Sequence, residues 1–153
     1  MDQFVAESSV LPIAPVGARF VLLSDQPSRI VRAGTEKPLK RVTWRLVAAN
    51  NRSIARASGM FGSVTECAQD IAELSAQLDQ AVASVSFQPG TEASTASHWS
   101  WTVQLADRPV AVSIHRYQRR IECERALRYF LDAVRVTPPA PDSVRRLGEW
   151  LGA

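Results

Sequence analysis

"WRLVAANNRSIARASGMFGSVTECAQDI", residues 44–71, decides the fold, because "WTVQLADRPVAVSIHRYQRRIECERAL", residues 101–127, restates its plan. From His98 the second stretch runs HWSWTVQL. Trp99, Trp101, Val103 and Leu105 are apolar, and His98, Ser100, Thr102 and Gln104 are polar. Side chains alternate across a strand, so this pattern predicts a strand with one buried and one wet face. In the first stretch Val42, Trp44, Leu46 and Ala48 alternate with Arg41, Thr43 and Arg45 in the same way, which aligns Trp44 with Trp101. Turn residues follow each strand, Asn50-Asn51 in one and Asp107-Arg108 in the other; Asn and Asp tolerate the left-handed backbone that tight hairpins need. Second strands are expected around Ser53–Ala57 and Pro109–Ile114.

Helices come next. Cys67, Ile71, Leu74 and Leu78 recur at spacings of four, three and four, and Cys123, Leu127, Phe130 and Val134 repeat that spacing. Each set is the apolar stripe of an amphipathic helix. Ser63 and Glu66 suit a capping box, whereas Arg119 stands at the corresponding position of the second helix. The chain's two cysteines each follow a glutamate, at Glu66-Cys67 and Glu122-Cys123. The acids favour the positive end of a helix dipole, and the thiols head the buried stripes as small apolar groups. The dipeptide therefore recurs because a strand–turn–strand–helix unit recurs.

Working outward, residues 1–17 contain Pro12, Pro15 and Gly17 without periodicity and read as an arm. Residues 18–87 form the first unit, with Arg19–Leu23 as a candidate opening strand. Residues 88–98 read as a linker, residues 99–136 as the second unit, and residues 137–153 as a proline-rich spacer followed by a short helix. In that last segment Asp142 or Ser143 can cap, and Val144, Leu147 and Leu151 make an apolar stripe with Trp150 beside it. A helix so short is marginal alone, so these four residues are candidates for a partner-binding tail or an internal dock.

The two stretches resemble the YegP-like family of small bacterial proteins of unknown function. The features that carry the likeness are Trp44, Asn50-Asn51, Ser58, Phe61, and Ile71 with Leu74; in the second, more diverged stretch they are Trp101, Asp107, Ser113, Tyr117 and Leu127. The likeness covers about half the chain. It implies an α+β fold of tandem strand–strand–(strand)–helix–strand repeats sharing one antiparallel sheet, with the helices on one face and C-terminal strands exchanged, Val82–Phe87 being the exchanged strand of the first. The second copy departs from the pattern by lacking a clear first strand. The resemblance transfers no catalytic or ligand residues.

The chain has 153 residues, 46% apolar and 22% charged, enough for one domain with a real core. Of its 18 basic residues 16 are Arg, against a net charge of +3. The opening "MDQFVAESS" carries an acid where a signal peptide needs positive charge, and no apolar run approaches the roughly 20 residues that cross a bilayer. A cytoplasmic, non-membrane protein, monomer or homodimer, is expected.

Candidate chemistry is sparse. Cys123 has Arg119 and Arg120 one turn earlier, which favours a thiolate, but its stripe position implies burial and inertness. Asp107, Ser113 and His115 are triad residue types, yet neighbours on one strand and its turn do not converge as a nucleophile, base and acid. No zinc spacing, glycine-rich phosphate loop or dinucleotide fingerprint occurs. The expectation is a non-enzymatic binding protein without metal or cofactor, acting on a protein partner through the wet sheet face or the tail. The alternative is association with nucleic acid, since residues 108–153 hold nine Arg against five acids and a basic face can neutralise phosphates. The candidate surface is Arg41, Arg45, Arg119, Arg120, Arg125 and Arg128. The opposing expectation is that these charges meet acids or simply face water.

Overall fold

A computed structural model describes residues 17–25, 41–93 and 96–146. Among them the chain runs β1 (Arg19–Asp25), β2 (Arg41–Val47), β3 (Ser53–Ala57), α1 (Val64–Ala76), β4 (Val82–Gln88), β5 (His98–Leu105), β6 (Arg108–Ser113), α2 (Arg120–Val136) and β7 (Pro141–Arg146). The seven strands form one sheet in the order β4-β5-β6-β3-β2-β1-β7. The fold is α+β.

The two alternating stretches become β2 and β5, and each folds back on the next strand. β2 pairs antiparallel with β3 and carries a bulge between Leu46 and Val47; β5 pairs antiparallel with β6 and carries a bulge between Val103 and Gln104. Beyond the bulges Leu46 faces Ala55, and Val103 faces Ala111. The β5–β6 hairpin turns on Ala106 and Asp107, both left-handed at φ 48° and 63°, the requirement of a type I′ turn. The turn is thus one residue earlier than Asp107-Arg108, and Arg108 opens β6. In the longer β2–β3 turn Asn51 takes the left-handed position at φ 67°, while the Asn50 side chain accepts from the Arg52 N–H.

Both helices follow short antiparallel bridges. Val42 and Phe61 exchange two backbone hydrogen bonds of 2.9 and 2.7 Å before α1, and Trp99 and Tyr117 exchange two of 2.7 and 3.0 Å before α2. Ser63 Oγ accepts from the Glu66 N–H, and the Glu66 carboxylate reaches back to the Gly62 N–H, so α1 has a working cap. α2 starts at Arg119 without a side-chain cap. Cys67, Ile71 and Leu74 of α1 and Cys123, Leu127, Phe130 and Val134 of α2 are buried in one cluster with Trp44, Trp101 and their same-parity neighbours. Trp101 stacks on Phe130 at 4.8 Å, and Phe20 meets Trp44 edge-on at 5.5 Å. On the other side of β1 and β2, Val21, Leu23 and Val47 form a second buried cluster.

The strands that follow the helices travel. β4 leaves α1 and pairs with β5, and β7 leaves α2 and pairs with β1. The β1–β7 pairing is parallel, so the sheet is mixed and not wholly antiparallel. The short helix expected near the C-terminus is also corrected: residues 141–146 are β7, with Pro141 at the start of an edge strand, where a missing N–H is tolerated. The spacing of Val144, Leu147 and Leu151 imitates a helical stripe, but a helix of this length gains little by itself, while the edge of β1 offers a row of unpaired backbone groups. Asp142, expected as a helix cap, instead lies 3.7 Å from Arg19 Nε of β1. Leu147, Trp150 and Leu151 lie outside the described residues, as does the arm up to residue 16. The intended linker is shorter than expected, since Gln88 belongs to β4 and His98 to β5. No helix among the described residues is long and apolar enough to cross a membrane.

Candidate functional site

The six arginines proposed as a surface stand on two elements, Arg41 and Arg45 on β2 and Arg119, Arg120, Arg125 and Arg128 at the start of and along α2. Arg41 lies 3.5 Å from Asp25. Arg119 lies 3.6 Å from Glu122 and Arg120 3.3 Å from Glu124, within the same helix turn. The Arg120 guanidinium also sits over the Trp99 ring at 5.6 Å. Arg119 and Arg120 thus meet acids of α2 itself, where i,i+3 and i,i+4 spacing brings charges together. Arg125 is exposed and Arg128 half-buried on α2.

Arg45 differs. The β2–β3 register sets it directly opposite Arg56, and the same row continues through Val112, Thr102 and Ser84 across β6, β5 and β4. Residues in register share a face, so two guanidinium groups stand side by side, with the fully buried Val21 beyond Arg45 and the half-buried Val112 beyond Arg56 in the same row. Among the described residues neither has a carboxylate partner. Arg45 Nη1 donates to Ser53 Oγ at 3.5 Å, and Arg56 Nη1 to its neighbour's carbonyl, Ala57 O, at 3.4 Å. Burial, and then the adjacent Arg56 charge, push the Arg45 pKa below its ordinary value. Uncompensated like charges in register destabilise a sheet unless an anion neutralises them. Arg56 was not among the candidates read from the sequence; its place opposite Arg45 depends on the bulge and the turn length, which spacing alone does not reveal.

A second feature is a cleft of about 330 Å³ between the β2–β3 turn and α2. Its lining comes from Ala48, Asn50, Arg52, Ser53 and Ile54 at the β2–β3 turn, His115 and Tyr117 between β6 and α2, and Ala126 and Tyr129 of α2. His115 meets Tyr117 edge-on at 6.4 Å. Burial first, then the neighbouring Cys123 and Glu122, hold the Tyr117 pKa above its ordinary value, with Trp101 acting the other way. Trp101 is 1% exposed. Its Nε1 has no hydrogen-bond partner, so the pull it exerts on the Tyr117 phenol is one of proximity without hydrogen-bond geometry.

The Trp44 indole, in the same core cluster, does have an acceptor. Trp44 Nε1 donates to Asp70 Oδ2 at 2.8 Å, and Asp70 is only 5% exposed. Arg108, from the start of β6, brings Nη1 to 3.5 Å from the second Asp70 oxygen and Nη2 to 4.0 Å from Glu73. One carboxylate therefore bridges an indole and a guanidinium. The sequence carried a signal for it, since Asp70 is an acid inside the Cys67–Ile71–Leu74 stripe, and a buried acid needs partners.

Both thiols are fully buried. Burial, reinforced by Asp70, pushes Cys67 up to about 12; burial, reinforced by Glu124, pushes Cys123 up to about 11. Burial thus outweighs Arg119 and Arg120. Ser113 Oγ accepts from the Trp101 backbone N–H at 3.2 Å, while His115 is exposed and turned to Tyr117; these triad types serve separate contacts.

No family model matches the chain, and no curated protein matches it. Two solved structures resemble it. One is a UPF0339 protein of Shewanella oneidensis, at 7% identity and a TM-score of 0.48 over 86% of this chain and 92% of that one. The other is yegP of E. coli, a protein of unknown function, at 10% identity and a TM-score of 0.48 over 85% of this chain and 92% of that one. Likeness at this level carries no conclusion about activity.

Proposed function

We propose that the chain is two copies of one unit sharing a sheet, and that it works as a non-enzymatic binding protein whose open sheet face takes an acidic group of a protein partner. The two-copy reading rests on constant offsets. Trp44 and Trp101, Val42 and Trp99, and the two bulges lie 57 residues apart, while Phe61 and Tyr117, and Cys67 and Cys123, lie 56 apart. At the centre of the sheet Arg56 faces Val112, its own counterpart, flanked by Ala55 with Ser113 and Ala57 with Ala111. That is the register of a local two-fold axis. Each unit then gives its last strand to the other's edge. The second unit lacks a first strand, so β4 lies directly against β5, while β7 lies outside β1.

The observation that carries the binding reading is the Arg45–Arg56 pair, held in register beside the buried Val21–Leu23–Val47 cluster without a carboxylate among the described residues. Two guanidinium forks side by side fit carboxylates. The nucleic-acid alternative has less support, because Arg119 and Arg120 already meet acids and both buried tryptophans are unavailable for base stacking. The test is capture from a native lysate by the immobilised chain, with and without nuclease, beside an R45Q/R56Q variant. A protein retained after nuclease treatment and lost by the variant supports the reading. Retention unchanged by the variant removes this face from consideration, and nuclease-sensitive capture with steep salt dependence establishes the alternative.

A further inference from the structure

The sheet ends differently on its two sides. β7, the outer strand beside β1, carries Pro141, Asp142, Arg145 and Arg146, and its pairing is broken by a register shift at Phe20–Val21. Proline, charge and irregular pairing are devices that keep an edge strand from pairing further. β4, the outer strand on the other side, has none of them. Its sequence, VASVSFQ, holds no charge and no proline, and it pairs with β5 without a shift from Val82 to Gln88. Nothing among the described residues pairs with its outer edge, so the N–H and C=O groups that point away from β5 form an open row. Apolar side chains on this strand stay in water: Val82 is 64% exposed and Phe87 49%. A regular, uncharged strand with an open row of backbone groups is a template for another strand.

We propose that β4 is a dimerisation edge, pairing antiparallel with β4 of a second copy of this chain about a two-fold axis at Val85, the middle of the strand. The occupant is a second copy because β4 is complementary to itself. A two-fold axis sets each residue against its own mirror position, so a charged strand repels its copy, and β4 carries no charge. Ala83, Val85 and Phe87 share a face with Val103, Trp101 and Trp99, their neighbours on β5. Phe87 meets Trp99 edge-on at 5.3 Å and leaves about half its surface open. The register about Val85 sets this ring against Ala83 of the second copy, whose small side chain leaves room for it. On the other face Ser84 meets Ser86 and Val82 meets Gln88, so hydroxyl faces hydroxyl and no charge is buried. The contact also closes. Each joined sheet then ends in a guarded β7, and no third copy finds an unguarded edge. The Arg45–Arg56 pair stands on β2 and β3 and takes no part.

The test is sedimentation equilibrium of the full chain from micromolar to millimolar concentration. The expected mass rises to that of two chains and stops there. Ser84 and Ser86 are both exposed in the single chain, so S84K/S86K leaves the fold intact. It sets like charges opposite one another across the axis and weakens dimerisation by roughly tenfold or more. S84E/S86E does the same, and an equimolar mixture of the two variants restores a dimer, which chains that had failed to fold do not. The register is read by NMR. Ala83 and Phe87 lie roughly 13 Å apart along one strand, so an isotope-filtered NOE between them, in a mixture of labelled and unlabelled chains, arises only across the interface. A single-chain mass at millimolar concentration, growth beyond two chains, a dimer indifferent to S84K/S86K, or a dimer lacking the Ala83–Phe87 contact would overturn the proposal.

Discussion

Replacing Asp70 by Ala asks whether the carboxylate bonded to Trp44 anchors α1 to β2. The change removes the acceptor of Trp44 Nε1, a bond of 2.8 Å from a fully buried indole. A buried donor left unpaired costs about 1–3 kcal/mol. The same change removes the Arg108 contact at 3.5 Å, but that guanidinium is 54% exposed, so this part adds less than about 1 kcal/mol. The expected loss is about 2–3 kcal/mol, which for a domain of this size lowers Tm by roughly 4–12 °C. Urea denaturation at neutral pH, followed by tryptophan fluorescence, measures it beside Arg108→Gln, whose cost stays below about 1 kcal/mol. If Asp70→Ala lay within about 0.5 kcal/mol of the parent, or if Arg108→Gln cost as much, the indole bond would not be the important member of the pair.

Other expectations follow from the same residues. Ala106→Asn relieves a left-handed alanine at φ 48° and raises stability by about 0.5–1 kcal/mol, whereas Ala106→Val lowers it; denaturant midpoints decide this. Both cysteines react slowly with iodoacetamide in the native state. Their folded pKa values, about 12 and 11, exceed the ordinary 9.0, so the stability they contribute is full below about pH 9 and is lost as pH rises through the folded values. The urea midpoint therefore falls between pH 8 and pH 10.5, and falls less in C67A/C123A. Deleting residues 138–153 strips β7 from β1, so Tm drops and an apolar dye binds; an unchanged melt would mean that the β1–β7 pairing contributes nothing to stability.

The parts of the fold legible from sequence were those set by local periodicity. Parity placed Trp44 and Trp101 in the core because a strand has only two faces, and the four-three-four spacing marked both helices because a helix has one buried stripe. β7 escaped because its conformation is decided by a partner strand more than a hundred residues earlier: Val144 pairs with Leu22, a contact no window of sequence contains. Its spacing also fits a helix, and only the open edge of β1 decides between them. The candidate surface was read from arginine counts, which cannot tell Arg119, held by an acid one turn on, from Arg45, set beside another arginine by a bulge and a turn. The cleft was invisible for a similar reason. Its lining residues stand far apart in sequence, and only the fold brings Asn50 and Ser53 near Ala126 and Tyr129 of α2.

The most direct test of the binding face is to label the arginine side chains with ¹⁵N and titrate the chain with polyglutamate at low and high salt. Arg45 and Arg56 should shift together, saturably and more weakly at high salt, with the response gone in R45Q/R56Q. Shifts confined to Arg125 and Arg128 of α2, or none at low salt, would contradict an anion-binding role for this face.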